Sequence, residues 1–283
     1  MIGDFVWTAW DYIGEASIGW RGYPLNNNFY PWNLAFCGDI DICGWKRPQS
    51  YYRDALWKTN QLSVFVKPPV PSFKENPNKE VWSRWNWVDA VPEWNWKGYE
   101  NKPLEVSVYS SCDKVELFLN NRSLGVKPTN RSTKFIATWS VLYHAGELKA
   151  IGYSNDKPVQ SSILRTAEEP VKIKLIPDKT HLKADGQDLS YITVELIDNK
   201  GQINPLAENL VKFSITGDAK IVGVGNANPV SLESFQNPER KAWKGRCMVI
   251  VKAGKTPGRI ILKAQCEGLK SALVSLSTEN QSL

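Results

Sequence analysis

The sequence has no apolar run approaching the ~20 residues that a membrane-spanning helix needs, so no membrane partner is expected. Its 283 residues hold only two histidines, His144 and His181, and five cysteines. Cys37, Cys43, Cys112, Cys247 and Cys266 are scattered, odd in number, and form no Cys-x-x-Cys pair. That pattern argues against a structural zinc centre and against a disulfide framework. Buried free thiols are the expectation, with Cys247–Cys266 the one pairing that adjacent strands could bring together. Neither a metal nor a cofactor is expected. Lysine and arginine exceed the acids by a formal +6, but no basic helix, RNA-binding signature or finger spacing accompanies the excess. It reads as solvated surface, and no nucleic-acid partner follows. The first residues show neither a basic nor an apolar leader region, so no signal peptide is expected.

Tryptophan, by contrast, is abundant and unevenly placed. Eleven of the thirteen lie at or before Trp96, leaving Trp139 and Trp243 for the rest of the chain. A tryptophan-rich front therefore precedes an ordinary back.

The front opens with an apolar β-prone run, Phe5, Val6 and Trp7, which leads straight into tryptophans, acids and glycines. Such a pattern suits a buried strand that delivers side chains to a cleft at its C-terminal end. The stretch from Gly14 to Gly44 reads as a long functional loop. A helix is predicted to open at Pro48, with Tyr51, Tyr52, Ala55 and Leu56 as its apolar stripe. Val66 to Pro77 is proline-rich and reads as an extended linker. From about Trp94 the period switches to two. LEVSVYS, KVELFLN, KFIATWSV and ELKAIGYS predict a small β-sandwich, with Asn120-Asn121 as a hairpin turn. Seven further alternating segments follow, from VKIKLIP to SALVSLS, the count of an immunoglobulin-like sandwich.

Sugars present C–H faces that stack on indole rings, and hydroxyls that need carboxylates around the rim. Trp7, Trp10, Asp11 and Glu15 supply that mixture, although a tryptophan-rich core with solvated acids would give the same composition. Asp39 and Asp41, at i and i+2, would share one face of a strand. Nothing around them builds the opposite wall that a pair of hydrolytic carboxylates requires. Three motif fragments lead nowhere. GDIDICG has Cys43 and Ser50 where a calcium loop needs acids. GVGNANP lacks the third glycine of a dinucleotide loop. Asn121-Arg122-Ser123 and Asn130-Arg131-Ser132 fit a glycosylation sequon.

GDFVWTAWDYIGE, followed by YPWNLAFCGDIDICGWKRPQSYYRDALW, resembles the last barrel strand and last helix of the β-galactosidases of glycoside hydrolase family 2, of the Bacteroidetes type. Residues 94–155 and 168–278 resemble the two sandwiches that follow the barrel there, in the same order. The resemblance implies a mainly β chain: two immunoglobulin-like or fibronectin-like sandwiches preceded by the last βα unit of a severed (β/α)8 barrel. Its segments would be 1–66 (barrel end), 67–93 (linker), 94–160 (first sandwich) and 168–278 (C-terminal domain).

The same resemblance implies that Trp7 stacks on the sugar and that Asp11 lies near the same subsite, with Trp10 and Glu15 in the same loop. Family members use two glutamates on earlier barrel strands. Both would lie upstream of Met1, so no catalytic residue is expected in this chain, which alone would be inactive. The partner implied is a carbohydrate substrate of the intact enzyme, itself periplasmic or secreted. The apolar surface of Phe5, Val6, Trp7, Tyr51, Tyr52 and Leu56 would favour self-association through the barrel edge. The competing reading is a non-catalytic carbohydrate-binding or structural immunoglobulin-like protein, which would show exposed aromatics on a sandwich face.

Overall fold

A computed structural model describes residues 7–18, 20, 30–73 and 88–280. Phe5 and Val6, the start of the predicted front strand, lie outside them, as do residues 74–87 of the predicted linker. The described chain is nearly all β and divides into two units, Met1–Thr166 and Ala167–Leu283.

In the first unit, helix α1 (Pro48–Trp57) opens on Pro48, whose ring suits the first turn. Seven strands follow: β1 (Leu62–Val66), β2 (Pro103–Ser110), β3 (Lys114–Leu119), β4 (Arg122–Pro128), β5 (Ile136–Leu142), β6 (Glu147–Ser154) and β7 (Lys157–Arg165). They form two sheets, β1-β2-β5 and β4-β3-β6-β7. Leu62, Val106, Val115, Leu117, Trp139 and Leu148 from both sheets enclose one core. Asn120 and Asn121 both take positive φ at the β3–β4 turn, which asparagine tolerates better than most residues.

Two boundaries differ from the sequence reading. Leu62–Val66 is not the tail of the front segment; it pairs antiparallel with β2 from Val106 to Ser110. The strand shows no alternation because Val64 and Val66 face the sandwich core while Phe65 faces helix α1, so both faces are covered. The sandwich also does not end at 160, since β7 runs to Arg165 along the β6 edge. Most of β7 is exposed, and the sequence pattern of a solvated edge strand is weak.

Helix α1 lies on this sandwich. Ala55, Tyr51 and Tyr52 pack with Phe65 and Tyr109, the Tyr51 and Phe65 rings being 5.5 Å apart. The Tyr52 hydroxyl donates to the Lys134 carbonyl at 3.0 Å. Tyr51 and Tyr52 are therefore covered rather than left bare, whereas Leu56 and Trp57 are exposed.

The described residues of the second unit form nine strands: β8 (Lys172–Pro177), β9 (His181–Lys183), β10 (Leu189–Ile197), β11 (Leu210–Thr216), β12 (Ala219–Gly225), β13 (Glu239–Lys241), β14 (Arg246–Ala253), β15 (Gly258–Gln265) and β16 (Ala272–Glu279). Sheets β12-β14-β10-β8 and β13-β11-β15-β16-β9 face each other across a core that includes Ile192, Val194, Val249, Val251, Ile260 and Leu262. All seven predicted segments are strands; β9 and β13, of three residues each, are additional. Pairing of Glu279 with Lys183 carries this unit past 278. None of the five cysteines forms a disulfide, and all but Cys266 are buried.

Candidate functional site

The described later part of the stretch predicted as a long functional loop runs back along the front. Residues 33–40 hydrogen-bond to residues 8–17: Asp39 N to Thr8 O, Ile40 N to Ala9 O, Ala35 N to Tyr12 O and Asp11 N to Ile40 O, each at 3.0 Å. Single backbone bridges join Trp10 to Ile40 and Ile13 to Leu34. The Trp7–Thr8 peptide bond is cis. Ile18, Ala35 and Cys37 are buried behind this layer, with Tyr12 against them.

From this backing, Trp7 and Trp10 project into solvent, 63% and 54% exposed. Trp7 meets Tyr12 edge-on at 6.2 Å between ring centroids. The Tyr12 hydroxyl donates to Glu15 Oε2. Partial burial and this carboxylate hold the Tyr12 hydroxyl well above the usual phenol range. Trp7, Tyr12 and the exposed Glu15 thus form one connected ledge, with Trp10 three residues along. Tyr12 was not singled out in the sequence; its spacing of three from Glu15 was the only signal.

Asp11 behaves differently. Its carboxyl is fully buried, turned inward between Trp10 and Tyr12. Oδ1 accepts the Gly38 N–H at 2.6 Å, and Oδ2 pairs with Arg47. Burial pushes its pKa up to about 6 although Arg47 pulls it down, and burial lowers that of Arg47. The Asp11 carboxyl, expected near the sugar subsite, is therefore enclosed beneath the ledge and held by Gly38 and Arg47.

The other front acids are also engaged. Asp39 takes two hydrogen bonds from Arg53, at 2.5 and 3.0 Å. Asp41 is buried and accepts the N–H groups of Cys43 and Trp45 at 2.9 and 3.0 Å. The two side chains are therefore spent on different partners instead of acting together. Among the described residues, no group of three or more His, Cys, Asp or Glu side chains is placed to hold a metal ion.

Comparison with known proteins gives a consistent result. Residues 173–275 match the family described as glycoside hydrolase family 2 C-terminal domain 5, and residues 101–160 match a domain of unknown function, DUF4982. The chain is 34% identical over 277 residues to Beta-galactosidase BoGH2A of Bacteroides ovatus, covering 98% of this chain and 28% of that protein. It is 30% identical over 276 residues to a Putative beta-glucuronidase of Formosa agariphila, covering 96% of this chain and 22% of that one. The crystal structure of a glycosyl hydrolase family 2 member from Bacteroides cellulosilyticus superposes with a TM-score of 0.95 at 51% identity, covering 99% of this chain and 36% of that one. The chain thus spans roughly a fifth to a third of the length of these relatives.

Proposed function

We propose, from the premise that this chain belongs to glycoside hydrolase family 2 as part of its C-terminal region, that Trp7, Trp10, Tyr12 and Glu15 form one wall of the sugar cleft of a β-galactosidase. The observation that carries the reading is the exposed Trp7 ring set against Tyr12 and Glu15. A large aromatic face bordered by a carboxylate offers stacking to the C–H face of a pyranose and hydrogen bonds to its hydroxyls. Galactose is the sugar favoured, because Beta-galactosidase BoGH2A, at 34% identity, matches this chain more closely than the putative beta-glucuronidase at 30%.

Bond cleavage belongs to other parts of such an enzyme. A retaining pair stands about 5–5.5 Å apart across the scissile bond, with one member protonated at working pH. Asp11 has the raised pKa but is sealed against Arg47, and Asp39 and Asp41 are committed to Arg53 and to backbone N–H groups. Of the described acids Asp11, Glu15, Asp39 and Asp41, Glu15 alone is exposed, and one carboxylate cannot both protonate the leaving group and attack the sugar. The sandwiches serve as supports in this reading. Trp139, an aromatic residue that a sugar-binding face would need on its surface, points into the core.

The test is a sugar titration of the protein labelled with 5-fluorotryptophan, read by fluorine NMR. Methyl β-galactopyranoside is expected to move the Trp7 and Trp10 resonances, with affinity on the order of millimolar for so open a site, and to leave Trp94 and Trp139 unmoved. Methyl β-glucuronide is expected to act more weakly. No response of Trp7 or Trp10 to either sugar would overturn the reading.

A further inference from the structure

We propose that the buried Asp11–Arg47 ion pair positions the sugar ledge, so that helix α1 sets where Trp7, Trp10 and Tyr12 stand. The proposal rests on reading that ledge as a sugar site.

The geometry is a clamp. Asp11 sits in the middle of the ledge, and its inward carboxyl is held from two sides, by the Gly38 N–H and by Arg47. Arg47 is the N-cap residue immediately before α1, and its guanidinium lies 3.7 Å over the Phe36 ring. Its backbone N–H donates to Asp39 O at 2.9 Å. Two side chains of the helix itself grip the same place. Gln49 Nε2 donates to Gly38 O at 2.7 Å, and Arg53 forks onto Asp39. Residues 38–40 are the segment to which Thr8, Ala9 and Asp11 are hydrogen-bonded. The ledge is thereby referenced to the helix, and the helix to the first sandwich through Tyr51, Tyr52, Phe65 and Tyr109.

Energetics separate positioning from stabilisation. Burial disfavours the charged form of both partners, so desolvation outweighs their attraction. Arg47 Nη1 is buried and has no hydrogen-bond partner among the described residues. A pair optimised for stability would satisfy that donor. What the pair does provide is direction: it fixes the Asp11 carboxyl inward, between the exposed Trp10 and a Tyr12 ring that packs against Ile18, Ala35 and Cys37. The charged or titratable groups facing the Asp11 carboxyl are Arg47, Asp41 from the following turn and the Cys37 thiol, itself pushed up to about 11 by burial.

The experiment compares the full chain with Asp11→Asn and with the double variant Asp11→Asn/Arg47→Met, all labelled with 5-fluorotryptophan. Trp94 and Trp139, in the sandwich core, report folding. The expected result is that the Trp7 and Trp10 resonances shift and broaden in both variants while Trp94 and Trp139 stay. Affinity for methyl β-galactopyranoside should fall about tenfold, the scale of one lost aromatic contact. In the parent protein the Trp7 and Trp10 signals should also titrate together near pH 6, and this step should vanish in Asp11→Asn. The double variant keeps the test decisive if the single one unfolds, since it leaves no unpaired buried charge. Unmoved Trp7 and Trp10 signals in a folded double variant would overturn the proposal. A parent protein that ignores the sugar, with ledge signals that still depend on the pair, would overturn the sugar reading and leave the clamp standing.

Discussion

Gly38 backs so closely onto Asp11 that its missing side chain is part of the packing. A Cβ there would fall against the Asp11 backbone nitrogen and lie 2.5 Å from Ile40 O and 2.7 Å from the Trp10 carbonyl carbon. Its φ lies outside the left-handed region, so space alone excludes a side chain. All three neighbours are backbone and cannot swing aside. Gly38→Ala is expected to force the two segments apart at a cost of about 1–3 kcal/mol. Hydrogen exchange at the Asp11 and Ile40 amides should accelerate, and unchanged protection would show that the segments can part freely.

Phe65 links the helix to the sandwich, with Tyr51 at 5.5 Å and Tyr109 at 5.1 Å between ring centroids. Phe65→Ala should open a cavity there and destabilise the first unit by about 3–5 kcal/mol. Tyr52→Phe removes only the bond to Lys134 O and should cost about 1 kcal/mol. Calorimetry checks both; equal losses for the two variants would mean that helix seating depends on the hydroxyl rather than the rings.

The Asp11 carboxyl also predicts a pH dependence of stability. Its pKa is raised from the ordinary 3.8 to about 6, so the folded state holds this proton more tightly than the unfolded chain does. The contribution to stability is then complete below 3.8, shrinks between 3.8 and about 6, and is absent above. Its ceiling is about 3 kcal/mol. Relative to Asp11→Asn/Arg47→Met, the parent protein should lose stability across that window as pH rises. Parallel curves from urea melts at successive pH values would contradict it.

The second unit should fold by itself. Its two sheets enclose a core of their own, and the parallel pairing of β9 with β16 ties its beginning to its end. A protein comprising residues 167–280 is expected to melt cooperatively. One stopped at residue 276 would lose the Ser277, Thr278 and Glu279 partners of His181, Leu182 and Lys183 and should melt lower. A non-cooperative transition in the longer form would place essential packing elsewhere.

Alternation made β2, β3, β5 and β6 legible in the sequence, and likewise the seven longer strands of the second unit. A strand with one wet and one dry face must alternate, and that is a local property of consecutive residues. The clustering of tryptophans and acids in residues 7–15 was legible, because composition suffices for that. β1 was not legible, since a strand covered by a helix on one side and a core on the other has no wet face to mark it.

The tertiary structure alone decided which of those residues are exposed and which are enclosed. Nothing local to Asp11 turns its carboxyl inward; Arg47 does so from 36 residues away. Likewise the apolar stripe of α1 was evident from spacing, but the surface it covers, Phe65 and Tyr109, comes from strands on either side of a long connection. Periodicity records that a face will be buried. The identity of what buries it, and the direction an enclosed charge must take to find its counter-charge, depend on contacts distant in the chain, because desolvation penalises a charge until a specific partner is brought to it.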